Sequence, residues 1–191
     1  PAVENEMWVG TEVGLGRYNA ASDEWTRFTT DDGLPSNNIL SIFRASDGTI
    51  LVGTEQGVAR FDGTRFEAIE QGPPYGVNGI TEDAEGRLYF AGGGGLWRFN
   101  PANNDWQEFS QNTGDITVYA LYGGFLAADG KLYFGSDGGG PIVYDGEEFN
   151  YFYTDDSLVS YAVSRILRAS NDELWFIQTG GGYPDRYSLS E

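Results

Sequence analysis

Short apolar runs closing on a small-residue turn recur along the chain. They are Met7-Trp8-Val9-Gly10-Thr11, Ile50-Leu51-Val52-Gly53-Thr54, Leu88-Tyr89-Phe90-Ala91-Gly92, Leu132-Tyr133-Phe134-Gly135-Ser136 and Leu174-Trp175-Phe176-Ile177-Gln178. With Trp8, Leu51, Tyr89, Tyr133 and Trp175 in one register, the spacings are 43, 38, 44 and 42 residues. The last four runs are preceded by turns of Asp-Gly type or a degraded form of it: Asp47-Gly48, Glu85-Gly86, Asp129-Gly130 and Asn171-Asp172. Such pairs accept positive φ and suit tight hairpins.

Alternation of apolar and polar residues predicts a strand before each of these turns, at Asn38–Arg44, Val77–Glu82, Val118–Phe125 and Ala162–Arg168. Another strand follows each small-residue turn, at Leu15–Tyr18, Val58–Phe61, Leu96–Phe99, Ile142–Tyr144 and around Arg186-Tyr187. A fourth set lies at Trp25–Phe28, Phe66–Ile69, Trp106–Phe109 and Phe149–Tyr153. In chain order these are strands A, B, C and D of a meander, and no helical stripe interrupts them. A period of about 42 residues marks propeller blades. The expected fold is therefore all-β, a propeller of four-stranded antiparallel blades in a single domain over 1–191. The repeats run over 7–49, 50–87, 88–131 and 132–173, with a partial one at 174–191.

A four-stranded sheet cannot bury both faces alone, so blades stack face to face. Trp8, Tyr89, Tyr133 and Trp175 are accordingly expected in inter-blade packing. Trp25 and Trp106 fall on strand D, toward the outside of a blade, where an aromatic face can also serve as a sugar platform. The chain opens with strands B, C and D and closes with A, B and C. Two arrangements satisfy that census: a small closed propeller of four to five blades, or an open arc completed by another copy through unpaired edges.

Composition narrows the chemistry. Cysteine and histidine are both absent, which excludes disulfides, Cys- or His-ligated zinc and imidazole-based catalysis. A formal charge of −18, spread along the chain, repels nucleic acid and anionic membranes. No run of about 18 apolar residues spans a bilayer, so no membrane insertion is expected. A first residue of proline, not methionine, suggests a processed, secreted chain.

Residues 30–42, Thr-Asp-Asp-Gly-Leu-Pro-Ser-Asn-Asn-Ile-Leu-Ser-Ile, lead into Asp47-Gly48, Val52-Gly53-Thr54, Gly57-Val58 and Arg60-Phe61-Asp62-Gly63. This stretch closely resembles the two-component regulator propeller repeat. The first repeat matches at Trp8-Val9-Gly10-Thr11, Gly14-Leu15 and Arg17-Tyr18-Asn19, while later repeats keep the spacing and lose much of the motif. The resemblance implies a secreted or periplasmic bacterial protein, of the kind that forms sensing parts of histidine kinases and often reads glycans.

In a propeller the D-to-A and B-to-C loops share one face near the axis. These loops nominate Asp31, Asn37, Glu55, Tyr75, Asp115, Asp137, Asp155 and Tyr183 as ligand-binding residues, with the tyrosines as stacking surfaces. Asp31, Asp32, Asp155 and Asp156 are the candidate Ca²⁺ ligands, since calcium takes carboxylate oxygen. The competing use of each acid is to bond its own turn. The glycine runs at 92–95, 138–140 and 180–182 lack the GK[ST] of a phosphate loop, which leaves tight turns or room for a ligand. Paired carboxylates suffice for glycoside hydrolysis. Asp31-Asp32 and Asp155-Asp156, however, recur at equivalent places before strand A, a feature of the repeat and not of one catalytic centre. The expected function is thus non-catalytic recognition of a carbohydrate or other extracellular ligand. Self-assembly into an oligomer or filament is the alternative.

Overall fold

A computed structural model of the chain describes residues 5–151, 162–169, 173–178 and 185–188. Among these, five antiparallel sheets follow one another along the sequence. The first is β1 (Glu6–Thr11), β2 (Gly14–Asn19) and β3 (Glu24–Phe28). The second is β4 (Ile39–Arg44), β5 (Ile50–Thr54), β6 (Gly57–Phe61) and β7 (Phe66–Ala68). The third is β8 (Val77–Glu82), β9 (Leu88–Gly92), β10 (Gly95–Asn100) and β11 (Asp105–Phe109). The fourth is β12 (Leu121–Leu126), β13 (Leu132–Ser136), β14 (Ile142–Tyr144) and β15 (Phe149–Tyr151). The fifth is β16 (Val163–Arg168), β17 (Glu173–Gln178) and β18 (Asp185–Ser188). The strands pair in chain order within each sheet, as a meander requires. The fold is all-β, and its sheets are β-propeller blades. The first and last have the B-C-D and A-B-C content expected from the sequence.

One predicted strand moves. Val118–Phe125 was expected as strand A of the fourth blade, whereas β12 begins at Leu121 and its register shifts between Tyr122 and Phe125. The bulge holds Gly123 and Gly124 at φ 57° and 159°. A Cβ on Gly124 would stand 2.7 Å from Phe134 Cε1, so glycine lets the bulged backbone lie on that ring.

The chain divides into two compact units, residues 1–80 and 81–191, with the boundary inside β8. In the first unit, Leu15, Phe28, Leu34, Val52, Ala59 and Phe66 form the core, and Trp8, Ile39 and Phe61 pack on it. Trp8 lies 5.8 Å from Phe28, 5.2 Å from Phe61 and 6.0 Å from Phe66, centroid to centroid, which joins the first blade to the second. The Arg17 guanidinium caps this cluster, 5.5 to 5.7 Å from the Phe61, Phe28 and Trp8 rings, and pairs with Glu6 at 3.8 Å.

In the second unit one core joins Tyr89, Ala91, Leu96 and Phe109 to Leu121, Leu132, Phe134 and Tyr144. Another joins Tyr133 and Val143 to Val163, Leu174 and Phe176. The period of two sorts the B strands. Val52, Phe134 and Phe176 look back toward the preceding blade, and Trp8, Tyr89 and Tyr133 look forward to the next. Trp8, Tyr89 and Tyr133 thus occupy the packing role expected of them. Trp175 shares their register and is 36% exposed. On the opposite side of the first blade, Met7, Val9 and Trp25 are 50%, 38% and 60% exposed.

The C-to-D turns repeat one device. Asn19 Oδ1 accepts from the Ala21 N–H at 2.9 Å, and Asn100 Oδ1 from the Ala102 N–H at 3.1 Å. Asp62 Oδ1 accepts from the N–H groups of Thr64 and Arg65, and Asp145 Oδ1 from those of Glu147 and Glu148, all within 3.0 Å. These backbone donors favour the ionised carboxylate and hold the Asp62 and Asp145 pKa values below the ordinary value.

Candidate functional site

The B-to-C turns show first what most polar loop residues do. Thr11 Oγ1 donates to the Gly14 carbonyl at 2.7 Å, Thr54 Oγ1 to Gly57 at 3.0 Å and Ser136 Oγ to Gly140 at 2.6 Å. The hydroxyl that ends strand B therefore clamps its own turn. In the third blade Gly92 stands in that place and supplies no hydroxyl. That turn is held from outside: the Gly94 N–H donates to the Tyr119 carbonyl at 2.7 Å, and Gly93 bridges to Ala120. Gly94 and Gly95 take φ values of 94° and 139°, conformations that other residues reach only under strain.

The D-to-A segment ahead of β12 is consequently pinned on two sides. Besides the bond from Gly94, the Asp137 N–H donates to the Ala120 carbonyl at 3.2 Å. Upstream, Gln111 Nε2 donates to the Thr117 carbonyl at 2.6 Å and the Thr117 N–H to the Tyr151 hydroxyl at 2.9 Å. Val118 and Leu121 are buried on either side. Tyr119 between them is 73% exposed. A Cβ on Gly138 would meet nothing within 4 Å, so the glycine turn of the fourth blade leaves open space. The result is a solvent-facing phenol ring on a main chain held between the turns at 92–95 and 137–140, the second of which carries the exposed Asp137.

The nominated residues of the first unit divide between two uses. Asp32 Oδ2 accepts from the Thr29 N–H at 2.9 Å, which caps the 3₁₀ turn Thr30–Asp32. Asn37 Oδ1 accepts from the Thr30 N–H at 2.9 Å. Both side chains build the Asp-Asp-Gly-Leu-Pro corner, where Gly33 sits at φ 95° and a Cβ would lie 1.9 Å from the Phe66 carbonyl oxygen. Asp31 is exposed beside them. Glu55 is exposed, and its N–H donates to the Asn38 carbonyl at 3.0 Å. Tyr75 is 57% exposed. The Cβ direction of its neighbour Gly76 meets Leu40 Cδ1 at 3.1 Å and the Glu55 carbonyl oxygen at 3.6 Å, so the segment carrying Tyr75 runs beside Glu55.

Asp115 is exposed in the loop before Tyr119. Asp155, Asp156 and Tyr183 lie outside the described residues. Among the described residues, no group of three or more acidic side chains is arranged to hold a metal ion, and no helix is long and apolar enough to cross a membrane.

Tyr119 was absent from the residues nominated by sequence, although a signal for it exists. Tyr75-Gly76-Val77, Tyr119-Ala120-Leu121 and Tyr161-Ala162-Val163 repeat one tyrosine, small, aliphatic triplet at spacings of 44 and 42 residues. In the first two, Val77 and Leu121 are the buried first residues of their A strands, and the tyrosine stands exposed two positions earlier. Tyr161 lies outside the described residues.

Comparison with known proteins agrees with the architecture. Residues 33–56 match the two component regulator propeller family. The extracellular domain of BT4673 from B. thetaiotaomicron, described as a hybrid two component system, superposes with a TM-score of 0.78 at 24% identity over 92% of this chain. The corresponding domain of BT3049 from the same organism gives 0.76 at 20% identity over 95%. The chain spans 25% of the length of each of these structures. A streptogramin B lyase matches with a TM-score of 0.70 at 16% identity, over 98% of this chain and 66% of the lyase. No curated protein matches the chain in sequence. At these identities the structures speak for the β-propeller fold.

Proposed function

We propose that this chain is a non-catalytic recognition module of an extracytoplasmic bacterial β-propeller, binding a carbohydrate or another extracellular ligand. The observation that carries the reading is Tyr119: a largely exposed aromatic ring on a main chain held by hydrogen bonds from Gly94 to its own carbonyl and from Asp137 to that of Ala120. Exposed, pre-positioned aromatic groups are costly to leave in water and favourable to cover, which is how binding surfaces are built. Resemblance to extracellular domains of sensor proteins supports the location. The absence of histidine and cysteine and the turn-building use of Asp32 support a non-catalytic role. A glycan array combined with thermal-shift measurements, with and without Ca²⁺, tests the reading. A hit accompanied by a raised melting temperature is expected. No hit and no shift on any class of ligand would leave the recognition reading refuted.

A second reading, self-assembly, is favoured by one observation. Met7, Val9 and Trp25 are exposed on a blade side whose counterparts in the second and fourth blades, Val52 and Phe134, are fully buried against a neighbouring blade. Light scattering decides it: a stable species of 20.9 kDa, the mass of one chain, rules assembly out.

A further inference from the structure

We infer that Tyr119 is the stacking platform of a binding site for a neutral sugar ring, with the turns at Gly93-Gly94 and Asp137-Gly138 as its polar flanks. The inference rests on the recognition reading and assigns it a ligand class and a place.

Three properties of the surface lead there. Among the described residues the phenol ring is the most exposed of the large hydrophobic side chains, and its backbone is held by the Gly94 amide on its own carbonyl and the Asp137 amide on that of Ala120. A pre-positioned aromatic plane stacks on the C–H face of a pyranose without an ordering cost in the protein. Next, the flanking turns carry glycine where side chains would otherwise stand, at Gly93, Gly94, Gly138 and Gly139. Open space beyond Gly138 leaves turn backbone and the Asp137 carboxylate accessible to sugar hydroxyl groups. Mixed apolar and polar presentation of this kind suits a ligand with one apolar face and a hydroxylated rim.

Charge selects among ligands. A formal charge of −18 disfavours uronic-acid polymers and sulfated or phosphorylated glycans. A cationic peptide would also find Tyr119 and Asp137, through cation–π attraction and ion pairing. Such a partner is better held by several clustered carboxylates, and among the described residues no three acids are grouped closely enough to hold a metal ion. A neutral sugar uses a single carboxylate as a hydrogen-bond acceptor.

The test titrates the intact chain with cellohexaose, xylohexaose, mannohexaose and laminarihexaose, by calorimetry and saturation-transfer NMR. Polygalacturonate and heptalysine serve as charged comparators. Binding of at least one neutral hexasaccharide is expected, with transfer strongest to its ring C–H protons and affinity unchanged between 20 mM and about 500 mM salt, where ion pairing is screened. Tyr119→Ala should weaken it at least tenfold at an unchanged melting temperature, Tyr119→Phe should retain it, and Trp25→Ala should leave it intact. Sugar binding that survives Tyr119→Ala, or that is lost in Trp25→Ala, overturns the site while the recognition reading stands. Preferential, salt-sensitive binding of heptalysine, or binding of polygalacturonate alone, overturns the ligand class. Absence of binding by all four neutral sugars overturns the inference, and the broader array then decides the recognition reading separately.

Discussion

Gly53→Ala is expected to destabilise the chain by on the order of 3 kcal/mol, the upper part of the range for overpacking a well-filled core. A Cβ at this position would stand 2.2 Å from Ser41 Oγ, 2.4 Å from the Val77 carbonyl oxygen and 2.9 Å from Val77 Cβ. It would also displace the Ser41 hydroxyl from its 2.8 Å hydrogen bond to that carbonyl. The position is the small residue of the repeating B-strand run, against which the first residues of a following A strand lie. Gly135 is its counterpart in the fourth blade, where a Cβ would meet the Val163 carbonyl oxygen at 2.2 Å, and Gly135→Ala should cost a similar amount. Gly10 differs, because the nearest atom is Ile39 Cγ2 at 2.6 Å. A side-chain methyl can turn aside where backbone cannot, so Gly10→Ala should cost less. In the third blade the same register holds Ala91, fully buried. Ala91→Gly should therefore lose only about 1 kcal/mol, the conformational cost of glycine in a strand. Chemical denaturation of the four variants checks the ranking. Equal losses for Gly53→Ala and Ala91→Gly would show that close approach is not what selects glycine here.

Asp83→Ala should cost about 3 kcal/mol for a different reason, the stranding of buried partners. Asp83 is nearly buried at the turn between β8 and β9. Its Oδ1 accepts from the N–H groups of Glu85 and Arg87 at 3.1 and 2.9 Å. Its Oδ2 accepts from Arg87 Nε at 2.5 Å and from the buried Tyr89 hydroxyl at 2.9 Å. Burial, followed by the bond to Asp83, raises the Tyr89 pKa well above its ordinary value, so the hydroxyl stays a donor throughout the neutral range. Without the carboxylate, that donor is left in a core with Ala91, Leu96 and Tyr144. Asp83→Ala combined with Tyr89→Phe should lose less than the sum of the single losses, since the second change removes the stranded group. Strict additivity in equilibrium unfolding would disprove the coupling.

The blade pattern was legible because its causes are local. Period-two alternation, Asp-Gly turns and one B-strand register at nearly constant spacing need no knowledge of distant residues, and the structure places strands at all five runs. The inward role of Tyr89 and Tyr133 was legible too, since equivalence across repeats implies equivalent packing. Trp175 shows where that reasoning stops: it has the register of a buried residue and the exposure of a surface one.

The candidate site was read only in part. Asp32 and Asn37 were singled out for their polarity, yet their oxygens turn back onto the N–H groups of Thr29 and Thr30. An acid that bonds its own corner and an acid offered to a ligand have the same letter in the sequence. Tyr119 was hidden for the converse reason. Val118-Tyr119-Ala120-Leu121 reads as the start of a strand, whereas β12 begins at Leu121 and leaves Tyr119 in the loop. The missing hydroxyl at Gly92 was visible as a departure from the repeat. Its consequence was not, because the partner that replaces the clamp, the Tyr119 carbonyl, lies some 25 residues further along the chain.

Residue order thus settles the repeat, the strand order and the turns, all of which depend on neighbours a few positions apart. The tertiary structure decides which polar side chains are consumed by their own corners, which glycines are compulsory and which aromatic ring remains in water. Each of those outcomes depends on atoms brought close by the stacking of blades. Distance along the chain carries no record of that proximity.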